Sequence, residues 1–66
     1  MVCFINGKRS EFGSEPLLCE LISSVGLNAD GLVVVVDGEV VASEAWSGFR
    51  VKEGQKVELL SFVSGG

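Results

Sequence analysis

The sequence predicts an α+β fold: a mixed sheet of about four to five strands, one main helix laid across one face, and a short helical turn beside it. Three observations predict it. Asn6-Gly7 and Asp37-Gly38 each sit between runs of strand-forming residues, the sequence form of a tight hairpin. One amphipathic stretch, residues 17–25, separates the two hairpins. A last alternating segment, residues 57–63, follows far enough from the first strand to lie parallel beside it, because a parallel crossover needs only roughly a dozen residues.

Residues 2–5 alternate around Phe4 and read as the first strand. Asn6-Gly7 supplies the two positive-φ positions of a two-residue turn, and residues 8–12 return as a polar, exposed strand. Gly13 breaks the pattern. Ser14 is positioned to cap a helix, with Glu15 near its positive end and Pro16 in its first turn. Leu17, Leu18, Leu21, Ile22 and Val25 fall within one arc of about 140°, Cys19 lies at its edge, and Glu20 and Ser24 fall outside it. Gly26 stands where a left-handed residue would end the helix, with Leu27 as its hydrophobic partner and residues 28–31 as a turn-rich connection.

Residues 32–36 are all apolar and do not alternate, which places them in an interior strand with apolar surroundings on both faces. Asp37-Gly38 turns the chain, and residues 39–42 return as a short strand. Ser43-Glu44-Ala45-Trp46 reads as a single capped turn of helix with Trp46 covering one end of the core. Residues 50–53 are extended or irregular, Glu53-Gly54-Gln55 is a turn, and residues 57–63 form the final strand. In that strand Val57, Leu59 and Ser61 alternate with Glu58, Leu60 and Phe62. This arrangement is the β-grasp.

Composition narrows the function. A 66-residue chain makes one small domain that buries only roughly 60% of its unfolded surface, and a hydrophobic fraction of 47% suffices for its core. There is no histidine, so the commonest general base and metal ligand are missing. Cys3 and Cys19 lack metal-ligand spacing and read as buried, reduced thiols. A net charge of −4, with Lys8, Arg9, Arg50, Lys52 and Lys56 dispersed, argues against nucleic acid and fits either a basic protein surface as partner or ordinary solubility. No stretch is long enough for a membrane span and nothing marks a signal peptide, so a cytoplasmic, membrane-free location is expected.

The chain ends in Ser61-Phe62-Val63-Ser64-Gly65-Gly66, an apolar strand running out into two glycines. Residues 1–62 are expected to form the domain and residues 63–66 a flexible tail. Glycine without Cβ makes the thinnest backbone available, suited to a narrow active site of another protein, although an exposed terminus also tolerates glycine. A sheet with one helix should leave its other face open. If Val57 and Leu59 face the helix, Leu60 and Phe62 face outward just before the tail, as an apolar patch of the kind that marks a partner site.

Over essentially its whole length the chain resembles the ThiS-type sulfur carriers of thiamine biosynthesis, which are ubiquitin-like β-grasp proteins. The resemblance rests on the opening strand with Asn6-Gly7, the strand-turn-strand from Val33 through Asp37-Gly38 to Val41, and Ser43-Glu44-Ala45-Trp46. It continues through Glu53-Gly54-Gln55-Lys56-Val57-Glu58 and the Phe62-Val63-Ser64-Gly65-Gly66 ending. The segment before Trp46 lacks the proline and arginine often seen there, and Gln55 replaces a common acidic residue. The resemblance implies a protein substrate and carrier, not an enzyme, with no catalytic residue, metal ligand or bound cofactor of its own. Gly66 would be adenylated and then converted to a thiocarboxylate, Gly65 would give steric clearance, and Leu60, Phe62, Val63 and Ser64 would bind partners. Those partners would be an adenylating (ThiF-like) enzyme using ATP and Mg²⁺, a sulfur donor such as a cysteine desulfurase, and a (ThiG-like) thiazole synthase. From Val63 to Gly66 the tail would reach roughly 14 Å when extended. Three further readings share the β-grasp body and the glycine ending: the (MoaD-like) small subunit of molybdopterin synthase, a ubiquitin-like protein modifier, and a β-grasp binding module whose glycines are incidental.

Overall fold

The computed structural model describes residues 1–26 and 30–61. Strands β1 (Val2–Ile5) and β2 (Lys8–Glu11) precede helix α1 (Leu18–Val25). Strands β3 (Leu32–Val36) and β4 (Glu39–Val41), a 3-10 helix (Ser43–Gly48) and strand β5 (Lys56–Ser61) complete the order. The five strands form one sheet in the order β2-β1-β5-β3-β4. Strand β5 is central, parallel to β1 and antiparallel to β3, as the sequence predicts for a first and last strand lying side by side. Both hairpins are antiparallel, and their turns carry positive φ at both positions: 51° and 82° at Asn6 and Gly7, 50° and 84° at Asp37 and Gly38.

Strand alternation sets the two faces. Cys3 of β1, Leu32, Val34 and Val36 of β3, and Val57 and Leu59 of β5 are buried and meet Leu18, Leu21 and Ile22 of α1. The β3 run alternates between fully and partly buried residues, because α1 covers only one of its faces. Trp46 of the 3-10 helix is buried beside them, and its Nε1–H donates to the Val41 carbonyl at 2.9 Å. Val51 is also fully buried, in a segment that the sequence marks only as extended or irregular.

That segment corrects the expected start of the helix. The Val51 N–H donates to the Pro16 carbonyl at 2.8 Å, the Leu18 N–H to the Phe49 carbonyl at 2.7 Å, and Leu17 bridges Arg50. Pro16 and Leu17 are therefore held extended. Leu17, with φ −73° and ψ 150°, is the N-cap in place of Ser14, and Glu20 Oε1 accepts from its N–H at 2.9 Å. At the other end Gly26, with φ 76°, closes the helix through a bond from its N–H to the Ser23 carbonyl. Of the expected apolar arc, Leu18, Leu21 and Ile22 are buried while Val25 is 40% exposed.

The turn at Ser43 is likewise longer than one turn, running to Gly48, and the Ser43 hydroxyl donates to Glu44 Oε1 at 3.3 Å instead of capping the backbone. The expectations for Leu27, for the connection through Asn28 and for the strand's continuation to Phe62 and Val63 lie outside the described residues.

These contacts fix an order of sensitivity. Leu21→Ala should cost about 2–5 kcal/mol in urea unfolding, the range for emptying a leucine site in a packed core. Val51→Ala removes two methyl groups and should cost about 2 kcal/mol, which would identify residue 51 as core and not loop.

Candidate functional site

The site is built outward from β5. Its hydrogen-bond register with β3 pairs Val33 with Leu60 and Val35 with Glu58, while β4 places Val40 opposite Val35. Directly opposed residues share a face, so Leu60, Val33, Val35 and Val40 form a band across the face that α1 does not cover. Leu60 is 43% exposed and Val40 71%, the largest apolar exposures there, and Val33 and Val35 are half-buried. Phe4 of β1 belongs to the same face, opposite Lys56 on one side and Arg9 on the other. A hollow of about 660 Å³ lies between the two hairpin turns, lined by Phe4, Lys56, Glu58 and Gly38 among others.

Of the residues that the sequence marks for partner binding, Leu60 is thus on the open face near the end of β5. Phe62, Val63, Ser64, Gly65 and Gly66 lie outside the described residues. Sequence reasoning placed the apolar groups of the 32–36 run on both faces, as Val33 and Val35 show, but missed Val40 and Phe4 as members of this face. Their signal is the cross-strand register, which assembles only once β5 is threaded between β1 and β3.

Strand β5 is gripped at both ends by side chains from the hairpin turns. Near its start, Asp37 Oδ1 accepts from the Lys56 N–H at 2.9 Å, the Asp37 N–H donates to the Lys56 carbonyl at 2.8 Å, and Asp37 Oδ2 accepts from Gln55 Nε2 at 3.1 Å. Near its end, Asn6 Oδ1 accepts from the Leu59 N–H at 2.8 Å and Asn6 Nδ2 donates to the Leu59 carbonyl at 3.4 Å. Two ion pairs among the described residues are peripheral: Arg9 with Glu11 at 3.6 Å and Lys52 with Glu15 at 3.9 Å are exposed and contribute little.

Among the described residues, no group of three or more histidine, cysteine or acidic side chains is placed to hold a metal ion. No helix among them is long and apolar enough to cross a membrane. Cys3 is fully buried; burial pushes its thiol up, the Glu53 carboxylate adds to that, and the N-terminal ammonium opposes it. Cys19 is half-buried on α1.

The comparisons with known proteins agree with this architecture. The family model described as the ThiS family matches residues 3–66. A crystal structure of the thiamine biosynthesis protein (ThiS) from Geobacter metallireducens superposes with a TM-score of 0.86 at 38% identity, covering 100% of each chain. A solution structure of a thiamine biosynthesis protein from the same organism superposes with a TM-score of 0.81 at 33% identity, covering 100% of this chain and 88% of the other. No curated protein matches the chain.

Because the thiolate is the reactive form, Cys3 should resist alkylation in the folded protein while Cys19 reacts first. Timed iodoacetamide labelling followed by peptide mass spectrometry measures this, and denaturation should bring the two rates together.

Proposed function

The chain belongs to the ThiS family, and on that footing we propose that it is a sulfur carrier of thiamine biosynthesis whose Gly66 carboxylate is the group activated and loaded. The observation that carries this reading is the position of Leu60. It stands exposed on the open sheet face one residue before the end of β5, and Phe62-Val63-Ser64-Gly65-Gly66 follows in the sequence. Five residues extend at most about 17 Å, enough to enter a narrow catalytic channel while the apolar face rests at its mouth.

The chemistry follows from the carboxylate. A C-terminal carboxyl titrates at about 3.3–3.7, so at neutral pH it is ionised and a poor electrophile. A ThiF-like partner, holding ATP and Mg²⁺, would convert it to an acyl-adenylate with release of pyrophosphate. The terminal sulfur of a persulfide, as supplied by a donor such as a cysteine desulfurase, would then displace AMP to give an acyl disulfide. A second thiol would cleave that S–S bond, leaving a thiocarboxylate on Gly66 and a disulfide between the thiol and the donor. That sulfur would be the nucleophile passed to a ThiG-like thiazole synthase. The carrier is a protein substrate in this scheme: Gly65 gives clearance, and Leu60, Phe62, Val63 and Ser64 are read by the partners. Residues 1–62 serve as the recognised body and residues 63–66 as the arm, acting in the cytoplasm. Membership of the ThiS family favours this reading over a molybdopterin synthase subunit or a protein modifier.

The test is incubation with a ThiF-like enzyme, ATP, Mg²⁺ and a sulfur donor, followed by intact mass spectrometry. The expected product carries one oxygen replaced by sulfur at its C terminus, and an unchanged mass refutes the proposal. One residue added after Gly66 should abolish loading while leaving the unfolding midpoint unchanged.

A further inference from the structure

Asn6 stands in a turn, yet its side chain takes the place of a strand residue. Strand β1 ends at Ile5, the register partner of Val57, and the chain reverses at Asn6 and Gly7. Strand β5 runs on from Val57 to Ser61. The Asn6 N–H still donates to the Val57 carbonyl at 2.8 Å. Beyond that point the β1 side of β5 would lack a main-chain partner. The Asn6 carboxamide supplies one, accepting from the Leu59 N–H at 2.8 Å and donating to the Leu59 carbonyl at 3.4 Å. The next residue is Leu60, an exposed apolar side chain of the open face.

We propose that Asn6 is a positioning residue for the carrier reaction: its carboxamide fixes the main chain of β5 at Leu59, so that Leu60 keeps its place on the docking face. This rests on the reading of the chain as a sulfur carrier. Without the carboxamide, the main-chain pairing left at the end of the strand, among the described residues, is that with β3, of Leu60 with Val33 and Ser61 with Leu32. The reacting carboxylate is chemically unaltered by that loss. The penalty therefore falls on productive docking, which raises KM for the carrier and leaves kcat unchanged.

Asn6→Gly isolates the side chain, because glycine accepts the positive φ of this position without strain. Asn6→Asp restores the Oδ1 acceptor, which makes the shorter of the two bonds, but not the amide donor. Asp37→Gly removes the equivalent grip at the start of β5 and serves as the control for a merely structural effect. Each full-length variant is titrated against a ThiF-like enzyme with ATP, Mg²⁺ and sulfide, and thiocarboxylate formation is followed by intact mass.

Asn6→Gly should raise KM roughly five-fold at constant kcat, the effect of losing about one hydrogen bond to a docked element. Amide exchange should accelerate at Leu59, Leu60 and Ser61 but not at Val34 or Val36. Asn6→Asp should return most of the lost KM, and Asp37→Gly should leave KM near that of the unsubstituted chain. An unchanged KM for Asn6→Gly, or an equal rise for Asp37→Gly, overturns the positioning role while the carrier function stands. Failure of the unsubstituted chain to load overturns the carrier reading and this inference with it.

Discussion

Every element of this small domain depends on the placement of β5 between β1 and β3. A central strand arriving last in sequence has to find both neighbours across long loops, and its register decides which of its side chains enter the core. Here the register is reinforced by two turn residues. Asn6 and Asp37 occupy the first positions of the two hairpin turns, and each turns its side chain onto the main chain of β5, at Leu59 and Lys56. The positive φ that suits the hairpins thus places both polar side chains beside the sheet's central strand. A slip of one residue would break both sets of bonds and exchange Val57 and Leu59 for Glu58 and Leu60 in the core.

That constraint gives the sheet two different faces. One holds the helix and the buried valines and leucines. The other carries Leu60, Val33, Val35 and Val40 in a band without a covering helix, with Phe4 alongside. Exposure on this scale in a chain of 66 residues has a cost in solubility, which the net charge of −4 offsets. The apolar band converges on the end of β5, where the glycine-ended sequence begins. On the proposed reading, the recognition face and the activated carboxylate would lie close together in the sequence, and that chemistry would need no acid, base or metal from the chain itself.

Much of this was legible in the sequence because it is local. Asn6-Gly7 and Asp37-Gly38 specify their turns through φ alone, the helical arc from Leu18 to Ile22 shows its period, and the alternation of Val57 and Leu59 with Leu60 gives the orientation of β5. What escaped is non-local. The helix starts at Leu18 and not nearer Ser14 because Pro16 and Leu17 bond to Phe49, Arg50 and Val51, and no local signal encodes that pairing. Val51 has no alternating neighbours to betray its burial. The grip of Asn6 on Leu59 spans 53 positions and appears in the sequence only as a turn asparagine.

The central claim is that the open face, ending at Leu60, is the surface presented to the activating partner. The most direct measurement is amide chemical-shift mapping of the isotopically labelled chain as an unlabelled ThiF-like enzyme and ATP are added. The account predicts perturbation and broadening concentrated at Val33, Val35, Val40 and Leu60, with the exposed positions Glu20, Ser23 and Ser24 of α1 unaffected. Perturbations confined to α1 and the 3-10 helix, with the open face unchanged, would contradict it.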